Sequence, residues 1–256
     1  MFVDAHAHLD DPALAPREGE ILAAAKQAGV GLIVNASSDL PSSEASVALA
    51  KRHENVYAVV GVHPHEAKTY DPEVEVRLME LCREKKVVAF GEIGLDYHYD
   101  LSPRDVQREV LDREIKLACL LDLPIVFHVR EAYEDFNEIL ERNKEYLTNG
   151  ILLHCYGGSA ELARYYVKNY DAYFSFGGVL TFAKHKDLVL KEIPAERLLL
   201  ETDCPYMTPV PLRGTPNEPK NIPLVATKMA ELKGLSREEV EKITTQNALR
   251  FYNLNL

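Results

Sequence analysis

Two histidines near the start of the chain have the spacing of a metal-binding pair. The segment F-V-D-A-H-A-H-L at residues 2–9 places His6 and His8 two residues apart after an apolar start. Side chains at i and i+2 of a β-strand point to the same face, so two neutral imidazoles would supply about half the ligands of a divalent ion. The pair alone also fits two surface histidines that meet by chance. Later candidate ligands favour the metal site.

Four further candidate ligands each follow or end a later apolar run. Glu92 lies in F-G-E-I-G-L-D-Y, His128 in P-I-V-F-H-V-R, His154 in I-L-L-H-C-Y-G-G and Asp203 in L-L-L-E-T-D-C-P. A carboxylate within an apolar run is costly unless it is paired or binds a metal. A salt bridge would explain Glu92 alone, and hydrogen bonds within a core would explain either histidine alone. Their joint occurrence with the first pair favours ligation.

Four imidazoles and two carboxylates are too many ligands for one tetrahedral ion, but they suit two divalent ions that share a carboxylate. We assign the first ion to His6, His8 and Asp203. The second ion is assigned to His128 and His154, and Glu92 bridges the two ions. Asp203 is also the nearest candidate to accept a proton from activated water. The predicted chemistry is therefore hydrolysis, with Asp203 and Glu92 as catalytic residues.

Short apolar runs alternate with amphipathic segments along the whole chain, which predicts alternating strands and helices. The predicted strands are Phe2–Ala5, Gly31–Ala36, Val56–Val62, Val87–Ile93, Ile125–Val129, Ile151–His154, Tyr173–Phe176 and Leu198–Thr202. The predicted helices are Glu18–Ala28, Ser42–His53, Pro72–Lys85, Pro103–Leu121, Ala132–Asn143, Ala160–Asn169, Lys184–Glu192 and Arg237–Phe251.

This alternation predicts an α/β fold, a (β/α)8 TIM-type barrel, as one hydrolase domain over residues 1–256. An open doubly wound sheet is the alternative. The barrel is favoured because the candidate ligands fall at strand C-terminal ends, where barrel enzymes place their active sites. Ser102 and Pro103 predict a helix N-terminus, and Ser236 with Glu239 predicts a capping box. The proline-rich segment Pro205–Pro223 predicts an ordered loop beside the site.

Composition and charge exclude several functional classes. The net charge is −11, from 40 acidic against 29 basic residues, so a protein that coats nucleic acid by counterion release is excluded. Bound divalent ions would still permit local action on a phosphate. No apolar segment is long enough to span a bilayer, and polar residues interrupt the N-terminus where a signal peptide would be apolar. Four cysteines without paired spacing predict free thiols and a cytoplasmic location.

The motifs together resemble those of the TatD-type metal-dependent deoxyribonucleases, a branch of the amidohydrolase-like barrel enzymes. The resemblance extends from Phe2 to about Tyr252, and the motifs are specific in this order. The matching motifs are D-A-H-A-H at 4–8, G-V-H-P-H at 61–65, G-E-I-G-L-D-Y at 91–97, H-V-R at 128–130, H-C-Y-G-G at 154–158, E-T-D-C-P at 201–205, R-G-T-P-N-E-P at 213–219 and N-A-L-R-F-Y at 247–252. Tyr156 and Gly157 depart from the usual Phe and Ser, and Cys204 replaces a frequent Ser.

The resemblance implies a barrel, a divalent-metal site made by the six ligands and hydrolysis of phosphodiester bonds. It further implies 3′-to-5′ exonuclease action on single-stranded DNA ends, with RNA cleaved by some members. No membrane and no obligate protein partner is expected. Mg²⁺ or Mn²⁺ is the expected ion in use, while the four histidines also suit Zn²⁺.

Four other residues are candidate substrate contacts. His63 and His65 end the third predicted strand and suit substrate contact or protonation of the leaving group. Arg130 lies two residues after His128 and could hold a phosphate oxygen, or it is a solvated surface arginine. Tyr97 could stack on a base, or it packs within the protein.

Two other functions are compatible with parts of the pattern. An amide, ester or lactone hydrolase would use the same activated water, although many barrel enzymes of that kind bridge their ions with a modified lysine where this chain has Glu92. A metal-stabilised scaffold is disfavoured, because structural metal sites are closed and need fewer ligands.

Overall fold

The computed structural model describes residues 1–255. Over this range, strands and helices alternate along the chain. The strands are β1 (Phe2–Ala7), β2 (Val30–Ala36), β3 (Val56–Val60), β4 (Val87–Asp96), β5 (Ile125–Arg130), β6 (Ile151–Leu153), β7 (Tyr173–Phe176) and β8 (Leu198–Leu200). The helices are α1 (Glu18–Gln27), α2 (Leu40–Arg52), α3 (Pro72–Leu81), α4 (Arg104–Leu120), α5 (Tyr133–Arg142), α6 (Ala160–Tyr170), α7 (Lys186–Glu192), α8 (Ile222–Lys233) and α9 (Arg237–Phe251).

The chain forms two compact units, Met1–Asn35 with Gly158–Leu256, and Ala36–Gly157. In the first unit, β1 pairs in parallel with β2, and β7 pairs in parallel with β8. In the second unit, β3, β4, β5 and β6 are successive parallel neighbours. For the described residues, strand order follows chain order from β1 to β8, as in a (β/α)8 barrel, so the predicted fold class is confirmed. The single domain over residues 1–256 stays a prediction.

The otherwise apolar strands β1 and β4 contain buried polar residues. Both strands are buried along their whole length, and their apolar residues alternate with Asp4, His6, Glu92 and Asp96. Burying such groups is unfavourable unless they are hydrogen-bonded or charge-paired. The strands therefore position a polar cluster in each unit at a cost that the cluster's own contacts must offset.

Most predicted elements lie within a few residues of the observed ones, and two differ in a way that has a physical cause. β4 continues to Asp96, three residues beyond its predicted end, because the glycines of G-E-I-G keep it close to β5. β8 ends at Leu200, two residues before its predicted end. Asp203 then adopts a left-handed backbone conformation, with φ of 53°, so its side chain does not follow strand alternation.

The predicted loop Pro205–Pro223 ends in a helix that the sequence analysis missed. A 3-10 turn at Pro219–Asn221 leads directly into α8, and Pro223 is its second residue. Proline is tolerated in the first turn of a helix because its missing N–H has no partner there in any case. Pro223 therefore lies in the first turn of α8 and not in the predicted loop.

The predicted start of α4 was wrong by one residue, whereas the capping box of α9 is confirmed. Pro103 is the N-cap of α4, and Ser102 instead donates its hydroxyl to the carbonyl of His65 over 2.7 Å. Ser236 and Glu239 make both bonds of a capping box. In the described part of the chain, no helix combines the length and the apolar character needed to cross a membrane.

Candidate metal centre

The first cluster lies in the unit that contains β1 and β8. The amide of Asp203 donates to the carbonyl of His6, and the amide of His8 donates to the carbonyl of Cys204, each over 2.9 Å. These two bonds align the segment after β8 with the end of β1. As a result, Nε2 of His8 lies 3.3 Å from Oδ1 of Asp203, and the rings of His6 and His8 are 5.0 Å apart.

The donor atoms of this cluster have the spacing of ligands around one ion. One ligand atom from each of His6, His8 and Asp203 lies within 4.8 Å of the others. Two ligand atoms at about 2.1 Å from a tetrahedral ion would be separated by about 3.4 Å, which is close to the 3.3 Å between His8 and Asp203. The side chains of His8 and Asp203 are 18% and 12% exposed, so water can reach the cluster.

A buried carboxylate, Asp4, supports this cluster from β1. It accepts hydrogen bonds from the amide and the hydroxyl of Thr202 over 2.9 and 2.6 Å, and from the amide of His6. Burial raises the pKa of Asp4 to about 8, although these bonds oppose the rise. Asp4 thus connects β1 to the segment that carries Asp203. Asp4 opens the D-A-H-A-H motif, but no role for it was predicted from the sequence.

Glu201, the first residue of the E-T-D-C-P motif, accepts a hydrogen bond from the hydroxyl of Ser175 over 2.5 Å. Both side chains are completely buried. Ser175 lies on β7 and pairs with Leu199 of β8, so the bond connects neighbouring strands. Glu201 is therefore held within the first unit by a neighbouring strand.

The second cluster, in the unit that contains β3 to β6, centres on the carboxylate of Glu92. Its Oε1 lies 2.7 Å from Nε2 of His154, 3.0 Å from Nδ1 of His128 and 3.5 Å from Nε2 of His63. Nδ1 of His128 is also 3.1 Å from Nε2 of His154. Three imidazoles therefore surround one carboxylate oxygen.

The hydrogen bonds of His63 distinguish it from the other two histidines of this cluster. Its Nδ1 accepts a hydrogen bond from the amide of His65 over 3.1 Å, so a neutral His63 carries its proton on Nε2, which faces Glu92. Burial lowers the pKa of His63 well below its usual value, and the neighbouring His128 adds to this effect. The Nε2 side of a neutral His63 therefore faces Oε1 of Glu92 at 3.5 Å, a contact that was not predicted from the sequence. Its substrate contact stays a prediction.

Gly94 brings the two strands of this cluster together. It pairs with His128 across β4 and β5, and its φ is +150°, a region that side chains disfavour. A Cβ atom at this position would lie 1.8 Å from the carbonyl oxygen of His128. Glycine is therefore required for β4 and β5 to approach closely where Glu92 meets His128.

Asp96, which the sequence analysis missed, lies behind His65 and His128. Its Oδ2 is 3.0 Å from Nε2 of both rings. A signal was present in the sequence, because Glu92, Gly94 and Asp96 are two residues apart and share one face of a strand. We interpreted the aspartate only as part of the family motif.

The remaining predicted substrate contacts lie in the second unit. The guanidinium of Arg130 lies 4.8 Å from the centre of the Tyr99 ring. Tyr97 donates its hydroxyl to Asp135 over 2.6 Å, and Arg104 lies 4.3 Å from the centre of its ring. One face of Tyr97 is therefore covered. The roles of Arg130 and Tyr97 in substrate binding stay predictions.

An exposed aromatic side chain that the sequence analysis did not single out, Tyr206, lies beside the first cluster. Its ring is 6.3 Å from that of His8, its hydroxyl donates to Asp11, and 56% of the residue is exposed. It lies just after the E-T-D-C-P motif, inside the proline-rich segment that is predicted to be an ordered loop beside the site.

The chain is similar to known proteins over its whole length. The family model described as TatD related DNase matches residues 3–253. The chain is 43% identical to the uncharacterized metal-dependent hydrolase YabD of Bacillus subtilis over the full length of both, and 35% identical to the 3′-5′ ssDNA/RNA exonuclease TatD of Cronobacter sakazakii over 92% of each. The crystal structure of YjjV, a TatD homologue from Escherichia coli, covers 99% of this chain and 98% of its own, with 31% identity and a TM-score of 0.93.

Proposed function

Because the chain belongs to the TatD family of metal-dependent hydrolases, we propose that it is a 3′-to-5′ exonuclease that hydrolyses the phosphodiester bonds of single-stranded nucleic acid ends. The observation that carries the proposal is the pair of clusters, each with imidazoles and a carboxylate at the spacing of metal ligands. The relative from Cronobacter sakazakii, named as an exonuclease on single-stranded DNA and RNA, supports the substrate class.

The proposed ligands follow the two clusters. One ion is held by His6, His8 and Asp203, and a second by His128, His154 and Glu92. When bound, such ions lower the pKa of water and offset the charge on a phosphoryl oxygen. The sharing of Glu92 between the ions stays a prediction. The four histidines and two carboxylates suit Mn²⁺ and Zn²⁺, and Mg²⁺ is proposed from the family resemblance.

The protein groups around the ions have separate roles in this proposal. Asp203 is the partly exposed carboxylate of its cluster and is placed to accept a proton from water. His63 keeps a proton on Nε2, which faces Glu92 and contributes a favourable electrostatic contact to that carboxylate. Arg130 and Tyr206 have the chemistry to bind a phosphate and to stack on a base, respectively.

The net charge of −11 is compatible with this function if the protein acts on strand ends. A chain with this charge gains little from releasing counterions along a duplex. Bound divalent ions make the local field favourable for a phosphate even on an acidic protein. We therefore propose local recognition of one or a few nucleotides. The cytoplasmic location stays a prediction.

The test is hydrolysis of a 5′-labelled single-stranded oligonucleotide, with a panel of esters, lactones and amides assayed in parallel. We expect a ladder that shortens from the 3′ end and depends on added Mg²⁺ or Mn²⁺. Glu92→Gln, which keeps the shape of the side chain but removes its charge, should abolish the ladder and leave the far-ultraviolet circular dichroism unchanged. Turnover of an ester, lactone or amide without cleavage of the oligonucleotide would refute the proposal.

A further inference from the structure

The carboxylate of Asp96 has its two oxygens committed to different partners. Oδ1 accepts the amides of His98 and Tyr99, each over 2.9 Å. Oδ2 faces Nε2 of His65 and Nε2 of His128, each over 3.0 Å. The side chain of Asp96 is fully buried, so these contacts replace its contacts with water.

The backbone of Asp96 is held as firmly as its side chain. Its amide donates to Oε1 of Gln107 over 2.9 Å, and its carbonyl accepts from Nε2 of the same residue over 3.2 Å. Gln107 is itself buried and donates to the carbonyl of Ser102 over 2.8 Å. This double contact fixes the end of β4, and the position of the carboxylate follows from it.

We propose that Asp96 is a positioning residue that fixes the tautomers of His65 and His128 together, and so sets which nitrogen of His128 is available to a metal ion. A carboxylate that already accepts two amides at one oxygen can only accept at the other. Both imidazoles therefore donate Nε2–H to Asp96. The inference rests on the proposed metal site, because it assigns the ligand atom of His128 as Nδ1.

The surroundings of Nδ1 agree with this assignment. With the ring proton on Nε2, Nδ1 of His128 is a hydrogen-bond acceptor 3.0 Å from Oε1 of Glu92, which is also an acceptor. Two acceptors at this separation repel each other unless a proton or a metal ion lies between them. The tautomer set by Asp96 therefore creates a cation site from neutral His128 and ionised Glu92. Metal-bound histidines commonly donate their other ring nitrogen to a carboxylate in this way.

The variant Asp96→Asn tests the tautomer directly. The amide oxygen of Asn must face the two backbone amides, so its NH2 group faces both imidazoles. An NH2 group donates to Nε2, which moves the proton of His128 to Nδ1 and blocks the proposed ligand atom. We expect affinity for Zn²⁺, measured by competition with a chromophoric chelator, to fall about 10–100-fold.

Asp71→Asn is the matched control. Asp71 also accepts two backbone amides at Oδ1, those of Glu73 and Val74 over 2.8 and 2.9 Å, but it does so at the N-cap of α3. Asn caps a helix about as well as Asp. This variant should keep wild-type affinity for Zn²⁺. Equal losses in both variants would attribute the effect to a general loss of structure and overturn the proposal.

Imidazole nitrogen NMR of the wild-type protein gives a readout that does not depend on activity. With ¹⁵N-labelled histidine and Zn²⁺ bound, His128 should show a protonated Nε2 and a metal-bound Nδ1, its signals being assigned by their loss in His128→Gln. A metal-bound Nε2 or a protonated Nδ1 would overturn the inference. Because no nucleic acid is present, a failure of the exonuclease proposal would leave this result unaffected.

Discussion

Replacing Gly94 by alanine should force β5 away from β4 at the level of His128. The added Cβ would lie 1.8 Å from the carbonyl oxygen of His128, whereas real contacts of this kind are at least 3.0 Å, so the strands must separate by about 1.2 Å. The φ of +150° adds backbone strain for any residue with a side chain. The same displacement moves Nδ1 of His128 from its position 3.0 Å from Glu92.

A displacement of about 1 Å at a reacting centre costs about 100-fold in rate, and overpacking at a buried site costs about 1–3 kcal/mol in the free energy of unfolding. We therefore expect Gly94→Ala to lower kcat/KM on the oligonucleotide about 100-fold and to weaken binding of Zn²⁺. The measurements are steady-state kinetics, chelator competition and urea unfolding.

The control for this prediction is Gly19→Ala in α1, where an added Cβ meets nothing within 4 Å. Alanine is the better helix former, so this variant should keep wild-type activity and gain up to about 1 kcal/mol in stability. The inferred close approach of β4 and β5 at His128 would be refuted if Gly94→Ala had the same stability in urea and the same affinity for Zn²⁺ as the wild type.

Three further changes test other parts of the structure. Hydrogen bonds from neighbouring amide and basic side chains hold the pKa of Asp112 at about 2 against the opposing effect of burial. Asp112→Asn should therefore lower the free energy of unfolding by about 1–2 kcal/mol at pH 7, and the difference from wild type in urea unfolding should disappear as the pH falls from 4 to 2. A difference that does not depend on pH would contradict this. Tyr252→Phe removes a buried 2.8 Å hydrogen bond to the carbonyl of Ala5 and should cost about 1–3 kcal/mol, or roughly 2–4 °C in Tm for each kcal/mol, whereas an unchanged Tm would exclude a contribution from this bond. Tyr206→Ala should raise KM for a single-stranded oligonucleotide about 5–100-fold with kcat little changed, because stacking of a base is worth about 1–3 kcal/mol. Tyr206→Phe should retain most of the affinity. Equal losses of affinity in both variants would assign the effect to the hydroxyl and contradict stacking.

The fold could be predicted, and so could the grouping of the candidate ligands into clusters, because both are encoded in short-range patterns. Alternation of apolar strands and amphipathic helices predicted the barrel, and the spacing of His6 and His8 predicted a shared face. Glu92 was recognisable because a carboxylate among apolar residues and glycines needs a compensating partner. These signals lie within a few residues of each other in the sequence.

The supporting contacts could not be predicted because they depend on how distant segments meet. Asp96 contacts His65, which lies 31 residues earlier, and no local pattern shows that His65 and His128 share the carboxylate of Asp96. The hydroxyl of Ser102 looked like a helix cap, but a tertiary contact with the carbonyl of His65 engages it instead. Local propensity is overridden wherever such contacts are stronger.

Hydrolysis is proposed to depend on divalent ions that are bound by the two clusters. The most direct measurement is a titration of chelator-treated, folded protein with Mn²⁺, in which bound metal and the rate of cleavage of a single-stranded oligonucleotide are measured in the same samples. We predict no cleavage before addition, recovery that follows bound metal to saturation, and weaker recovery in both His8→Gln and His154→Gln. Cleavage at the full rate by protein shown to be free of metal would contradict the account.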